Sequence, residues 1–394
     1  MKIAIVDAGL FTAPYDRALM DGLAFAGDEA RLYGKYLPPD DLLNQDRQVV
    51  QHFYRPLLHP SATRLPLQLL QVVKGVLHIY DMGALVKALR RWRPDIIHFQ
   101  WLPVPLIDRA FLAALRQVAP LVCTVHDSNP YNGHRSAWLQ RAGWFSVLQE
   151  FSAVIVHTGQ SQARLVEQGV PADKIVKIAH GLLHEGAAGL KGLDGPEVKD
   201  GATLDVLLFG KIKPYKGADV LIRAVGQLSP KERSEIRVRI VGKPYMETGP
   251  LLDMATALGV RDRFVFDFRF IDDDELPQIF GPASVVVFPY REIDASGVLM
   301  TALTAARPIV ATRIGIFGEL LTDGSDALVI PPDDPKALAG ALSRLLADRA
   351  LRQSLGAGAK RLAESIPSWA DIGQATHRVY ERIIARNLPN DLAA

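Results

Sequence analysis

Leu204–Asp205–Val206–Leu207–Leu208–Phe209–Gly210–Lys211–Ile212–Lys213–Pro214–Tyr215–Lys216–Gly217 is the stretch on which the fold turns. Its first six residues, rich in Leu, Val and Phe, read as a strand. The next eight have glycine at both ends and three lysines between, and a helical pattern begins at Ala218. A loop that leaves a strand and opens a helix aims backbone N–H groups and the positive end of a helix dipole at whatever lies above it. Lys211, Lys213 and Lys216 add ammonium groups able to neutralise a diphosphate. Three lysines in six residues also suit a solvated turn; their place at a strand-to-helix switch favours the anion site.

The same alternation extends in both directions. Downstream, strands are predicted at Ile236–Val241, Phe264–Phe268, Ser284–Phe288, Pro308–Thr312 and Ala327–Ile330. The helices between and after them are Ala218–Leu228, Leu251–Leu258, Leu276–Phe280, Val298–Ala306 and Lys336–Leu346. Upstream, strands at Lys2–Val6, Asp95–Phe99, Leu121–Val125, Ala153–His157 and Lys174–Ala179 are apolar throughout, as parallel strands covered on both faces should be. Helices Pro105–Val118 and Gly159–Gln168 lie among them. Gly186–Gly201 carries five glycines and no strand pattern, and reads as a linker. The expectation is α/β: two Rossmann-like, doubly wound domains, 1–190 and 191–368, facing each other across a cleft. Residues 35–80 interrupt the rhythm and read as an insertion; 369–394 read as a terminal helix docking across the domains.

Composition narrows the function classes. A chain of 394 residues with 48% hydrophobic and 22% charged residues is long enough for two cores. Forty-five basic residues against forty-three acidic ones leave a formal charge of +2, so no overall field points to nucleic acid. The one cysteine, Cys123, sits in the apolar run Leu121–Val125 and reads as a buried thiol, which excludes a disulfide framework or a multi-cysteine metal site. Met1–Asp7 is too brief for a signal peptide, and no stretch approaches the ~20 apolar residues of a membrane span. A cytoplasmic chain, in at most peripheral contact with a membrane, is expected.

A second cluster, Phe288–Pro289–Tyr290–Arg291–Glu292–Ile293–Asp294–Ala295–Ser296–Gly297–Val298–Leu299–Met300–Thr301–Ala302, again runs from strand through loop to helix start. Ser296 and Gly297 stand where a helix N-terminus offers amides to a phosphate. Glu292 and Asp294 are carboxylates beside that anion site, and two readings stand: they bind hydroxyl groups, as a sugar would require, or they cap the helix. Asp272–Asp273–Asp274 is the one Asp-x-Asp run, and its place before a helix makes it a cap. His126 follows a buried strand. His98, His157 and His180 follow similar runs and read as structural.

Taken in order, these segments resemble the retaining nucleotide-sugar glycosyltransferases of family 4, which have the GT-B fold. The family's Gly-Arg-x-x-x-x-Lys-Gly loop appears as Gly210 to Gly217, a strand ending in Val-Gly as Val241–Gly242, and the donor loop as Ser296–Ala302. Arg307–Thr312, Gly318–Glu319 and Pro331–Pro335 continue the pattern, and Asp95–His98 and Thr124–Asp127 match it in the first half. Two departures stand out. Lys211 replaces an arginine and loses its bidentate geometry. Ile293 and Thr301 occupy the places of two glutamates, so the ribose contact at Thr301 is different or weaker, and Asp294 or Glu292 is left to take the first glutamate's role.

The resemblance implies His126, Lys211, Lys216 and Asp294 as catalytic residues. It implies Gly9, Gly210, Glu292, Ser296, Gly297, Val298 and Thr301 as donor-binding ones, with no metal and no cofactor beyond the nucleotide sugar itself. The implied reaction moves a hexose from a UDP- or GDP-linked donor to a sugar or lipid-linked saccharide with retention of configuration, as in bacterial polysaccharide or glycolipid synthesis. An epimerase or hydrolase of the same fold, or a noncatalytic nucleotide-sugar-binding subunit, are the alternatives. The helix Leu65–Leu77 with Lys74, and the nearby Lys87, Arg90, Arg91 and Arg93, either lies on anionic lipid or packs on the first sheet with its charges in water.

Overall fold

A computed structural model describes residues 1–37, 46–54, 67–129, 143–183 and 203–387. The chain divides into two units, Met1–Gly181 with Pro367–Ala394, and Leu182–Ile366. The predicted linker Gly186–Gly201 lies outside the described residues, as does the boundary expected at 190.

The first unit holds a parallel sheet of seven strands: β1 (Lys2–Val6), β2 (Glu29–Lys35), β3 (Val49–Phe53), β4 (Ile96–Phe99), β5 (Leu121–Val125), β6 (Ala153–Val156) and β7 (Ile175–Lys177). Their order is β3-β2-β1-β4-β5-β6-β7. Strands β4, β5 and β6 are buried at every position, and Ile3 pairs with Ala30 on one side and Ile96 on the other. Such strands read as plain apolar runs because helices cover both faces. Two strands had no such signature. β2 begins and ends on exposed charged residues, and the edge strand β3 is mostly half-buried. Residues 49–53 therefore belong to the sheet, although they fall within the segment read as an insertion. The helix expected at Leu65–Leu77 is the start of Leu67–Trp92.

The terminal helix Trp369–Asn387 packs in this unit against the helix Ala13–Phe25. Two glycines set the approach: a Cβ on Gly373 would fall 2.1 Å from the backbone of Gly22, and one on Gly22 would fall 2.1 Å from the carbonyl oxygen of Trp369. Polar contacts add to it, with His377 Nδ1 2.8 Å from Asp28 Oδ2 and the Tyr380 hydroxyl 2.7 Å from His98 Nδ1.

The second unit repeats the plan with six parallel strands: β8 (Leu204–Phe209), β9 (Ile236–Val241), β10 (Phe264–Asp267), β11 (Val285–Phe288), β12 (Ile309–Thr312) and β13 (Leu328–Ile330). Their order is β10-β9-β8-β11-β12-β13. In both sheets the winding direction reverses beside the first strand, between β1 and β4 and between β8 and β11. Open α/β sheets bind ligands at the carboxyl ends of the strands flanking such a switch point. The two loops singled out in the sequence, after β8 and after β11, are the pair that flanks it. No helix among the described residues is long and apolar enough to cross a membrane.

Candidate functional site

The loop after β8 and the loop after β11 run antiparallel and touch at three successive residues. The Arg291 amide donates to the Tyr215 carbonyl at 2.7 Å. Lys216 Nζ stands 4.9 Å from the centre of the Tyr290 ring, and a Cβ on Gly217 would meet the carbonyl oxygen of Pro289 at 1.9 Å. Gly217 has φ +69°, a conformation that glycine adopts at little cost and that lets the chain turn into the helix Ala218–Gln227.

Lys216 is 5% exposed, with Nζ 3.4 Å from the Phe209 carbonyl. Burial pushes its ammonium down to about 7, and the charges of Lys211 and Lys213 push the same way. Gly210, at φ +108°, leaves room for it: a Cβ there would lie 2.8 Å from Lys216 Nζ and 3.1 Å from Val298 Cγ2. Gly210, Lys216 and Val298 thus meet at one point, next to the start of the helix Gly297–Thr304. Ser296 caps that helix, its hydroxyl accepting from the Leu299 amide at 3.2 Å. The two amides ahead of that capped one, on Gly297 and Val298, have no carbonyl of their own helix to donate to, and with the dipole they lie at the end of the helix where Val298 approaches Lys216. Lys211 is exposed on the loop.

Thr301 lies one turn further along, buried, with its hydroxyl donating to the Gly297 carbonyl at 3.1 Å. That hydroxyl serves its own helix. Asp294 is 3% exposed, and its carbonyl accepts from the Ile316 amide at 2.9 Å. Glu292 is half-buried. The Asp272–Asp274 run leads into the helix Leu276–Phe280, with Glu275 Oε1 accepting from the Asp272 amide at 3.2 Å.

In the first unit His126 follows β5 and donates Nε2–H to Gln100 Oε1 at 2.9 Å. It stacks on Trp101 at 5.8 Å and meets the Tyr15 ring edge-on at 4.7 Å. His157 and His180 join it, with ring centres 5.2 Å from His126 to His157 and 5.1 Å from His157 to His180. Burial lowers all three imidazoles, His157 to about 3 and His180 to about 4, and their mutual repulsion lowers His126 further. The cluster is therefore neutral at physiological pH. Gln100 Nε2, Trp101 Nε1 and His157 Nε2 are buried without a hydrogen-bond partner among the described residues. Unmet polar atoms at strand ends suit a ligand rich in hydroxyls. Gly9 lies at the same edge, its amide donating to Asp7 Oδ1 at 3.2 Å.

Residues 17–183 match the family described as Glycosyltransferase Family 4, and residues 203–348 match Glycosyl transferases group 1. The chain belongs to the family 4 glycosyltransferases. Its similarity to the D-inositol 3-phosphate glycosyltransferase of Kineococcus radiotolerans is 29% identity over 257 residues, which is 60% of this chain and 59% of that relative. The match thus spans about three-fifths of the curated relative's length. Among solved structures, sucrose-phosphate synthase from Thermosynechococcus elongatus superposes with a TM-score of 0.73 at 20% identity, over 98% of this chain and 100% of that one. Anabaena HepE, solved with UDP and glucose, gives 0.73 at 19% identity over 97% and 100%. These likenesses establish the GT-B architecture for this family 4 chain.

Sequence reasoning overlooked one side chain in each unit of this family 4 chain. Asp7 holds the loop that carries Gly9, with Oδ2 accepting from the Thr12 amide at 2.9 Å. Its signal was an acid directly after an apolar strand and two residues before a glycine. Arg291 stands in the sequence only as one member of the run Phe288–Ala302, yet it joins the two loops of the second unit. Its partners, Asp219 and Asp333, are 72 and 42 residues away, and no local pattern announces them.

Proposed function

We propose that the chain transfers a hexosyl group from a UDP- or GDP-linked sugar to a hydroxyl of a saccharide or lipid-linked saccharide, with retention of configuration. The meeting of Lys216, Gly210 and the helix start at Ser296–Val298 carries this reading, because a cation and free amides converge on the point where a diphosphate would lie. As the bond from C1 to the diphosphate oxygen breaks, negative charge grows on the leaving group and these donors stabilise it. The acceptor oxygen bonds to C1 on the same face and its proton passes to the departing phosphate. Lys211 and Lys216 take the place of a metal ion, and no protein nucleophile is required. Asp294 and Glu292 are assigned to sugar hydroxyls, and His126 to the transferred sugar or the acceptor.

Purified protein incubated with UDP- and GDP-sugars should release nucleotide only when a saccharide acceptor is present, and chelation by EDTA should not slow it. Acceptor-independent release, epimerisation of the donor, or binding without turnover would each replace transferase with one of the alternatives. Lys216→Ala should abolish the rise in melting temperature that UDP or GDP produces.

The helix Leu67–Trp92 supports a membrane-bound acceptor. Val72, Val76, Ile79 and Tyr80 form an exposed apolar stripe along it, and exposed Lys74, Lys87, Arg90 and Arg91 share the helix. We assign this face to the anionic cytoplasmic surface of a membrane. Failure to float with anionic liposomes would remove that part of the reading.

A further inference from the structure

Arg291 lies beside the diphosphate site, and its guanidinium carries five N–H donors. All five are spent on protein oxygens. Nε donates to Asp333 Oδ1 at 3.0 Å; Nη1 donates to Asp219 Oδ1 at 2.8 Å and to the Pro214 carbonyl at 3.0 Å; Nη2 donates to Asp219 Oδ2 at 2.7 Å and to Asp333 Oδ1 at 2.7 Å. The backbone amide of the same residue holds the Tyr215 carbonyl.

Four segments therefore end on one side chain. Pro214 belongs to the lysine loop, Asp219 to the first turn of the helix that follows it, Asp333 to the loop after β13, and Arg291 itself to the loop leading to Ser296. Asp333 holds a left-handed backbone, φ +54°, while it makes this contact, a conformation that costs a non-glycine residue energy. Burial pushes the Asp219 carboxyl up, but the hydrogen bonds and charge of Arg291, joined by the charge of its other partner Arg223, outweigh it and hold the group below its ordinary value. The pair is ionised and bidentate, which fixes direction as well as distance.

We infer that Arg291 is a positioning residue for the donor diphosphate: with no donor left for a ligand, it sets the separation between Lys216 and the helix start at Ser296. This rests on the reading of the Gly210–Gly217 loop as the diphosphate site. A lysine could supply the charge but not the fork, so it would not span Asp219, Asp333 and Pro214 together.

Electrostatics and positioning predict opposite results for Asp219→Asn. Removing a negative charge next to an anion site should tighten UDP binding if charge alone matters. It should weaken binding if the fork sets the geometry. The experiment is UDP titration by calorimetry on the full chain and on Asp219→Asn, Arg291→Lys and Arg291→Met, with melting temperatures recorded alongside. A wild-type chain that binds neither UDP nor GDP would defeat the proposed function, independently of Arg291. Given wild-type binding, we expect a loss of about threefold or more for Asp219→Asn and about tenfold or more for both Arg291 variants. Lys216→Ala should cost much less in the Arg291→Met background than alone, because the clamp and the lysine act as one unit. Should Arg291→Met fail to fold, Asp219→Asn and Arg291→Lys decide the matter. UDP affinity unchanged in both, or tightened in Asp219→Asn, would overturn the inference even if the melting temperatures fall.

Discussion

The carbonyl oxygen of Pro289 occupies the space where a side chain on Gly217 would begin, 1.9 Å from an ideal Cβ. Residue 217 also needs φ +69°, so Gly217→Ala meets a steric clash and a strained backbone at once. The loss should reach about 2 kcal/mol or more, a fall in melting temperature of roughly 4–8 °C for a unit of this size. The clash pushes the two loops apart, so the thermal shift produced by UDP should shrink with it. A Gly217→Ala protein with unchanged melting and unchanged UDP response would show that the loops do not need this contact.

Lys216 links donor binding to pH. Its ammonium is lowered to about 7 in the free protein, and a bound diphosphate favours the charged form. Binding therefore takes up a proton above pH 7, and affinity for UDP should fall by about tenfold per pH unit between pH 7 and 9. For folding the sign is opposite: the unfolded lysine keeps its proton to about 10.4, so this group makes the empty protein more stable as pH rises from 7 toward 10. Calorimetry in buffers of different ionisation enthalpy measures the proton directly. Lys216→Arg should flatten the pH dependence, and a wild-type affinity constant across this range would refute the linkage.

Thr301 donates its hydroxyl to Gly297, so it has little to give a ribose. Thr301→Val removes that hydroxyl at nearly constant volume. UDP affinity should stay within about twofold and stability within about 1 kcal/mol. A tenfold loss of affinity would return Thr301 to the donor contacts.

Acid should loosen the first unit through its imidazoles. His157 titrates near 3 when folded against about 6.5 when unfolded, so its contribution is intact above pH 6.5 and drains away as pH falls toward 3. Burial raises Asp7 and Asp16, which slope the other way, and a comparison of wild type with His157→Gln isolates the imidazole. The stability gap between the two proteins in urea titrations should narrow by roughly 2–3 kcal/mol from pH 6.5 to 4. A gap independent of pH would mean that His157 is not buried as described.

The sequence revealed most where both faces of an element are covered. β1, β5 and β8 begin and end as predicted, because a strand under helices on both sides is apolar at most positions, and β9 does so on the alternation of buried Ile236, Val238 and Ile240 with Arg237 and Arg239. β2 and β3 escaped because one end or face meets water. The helix Arg349–Ser365 escaped because its buried face is Leu355, Gly358, Ala359 and Ala363, mostly small residues in an otherwise polar segment that offers few large apolar side chains to mark it. At the site, Gly210, Lys216 and Ser296 were legible because each follows a strand end in a recognisable run. Asp219, Arg291 and Asp333 were not, since a clamp closed across 42 and 72 residues has no signature within any of its segments.

The two glycines that bring the terminal helix against Ala13–Phe25 bear on the order in which the polypeptide leaves the ribosome. Once residue 366 has emerged, the second unit has every residue it needs, while the first still lacks the helix that covers Tyr15, His98 and Asp28. The half synthesised first is thus completed last, and until then its buried histidine and aspartate stand open to water and to chaperones.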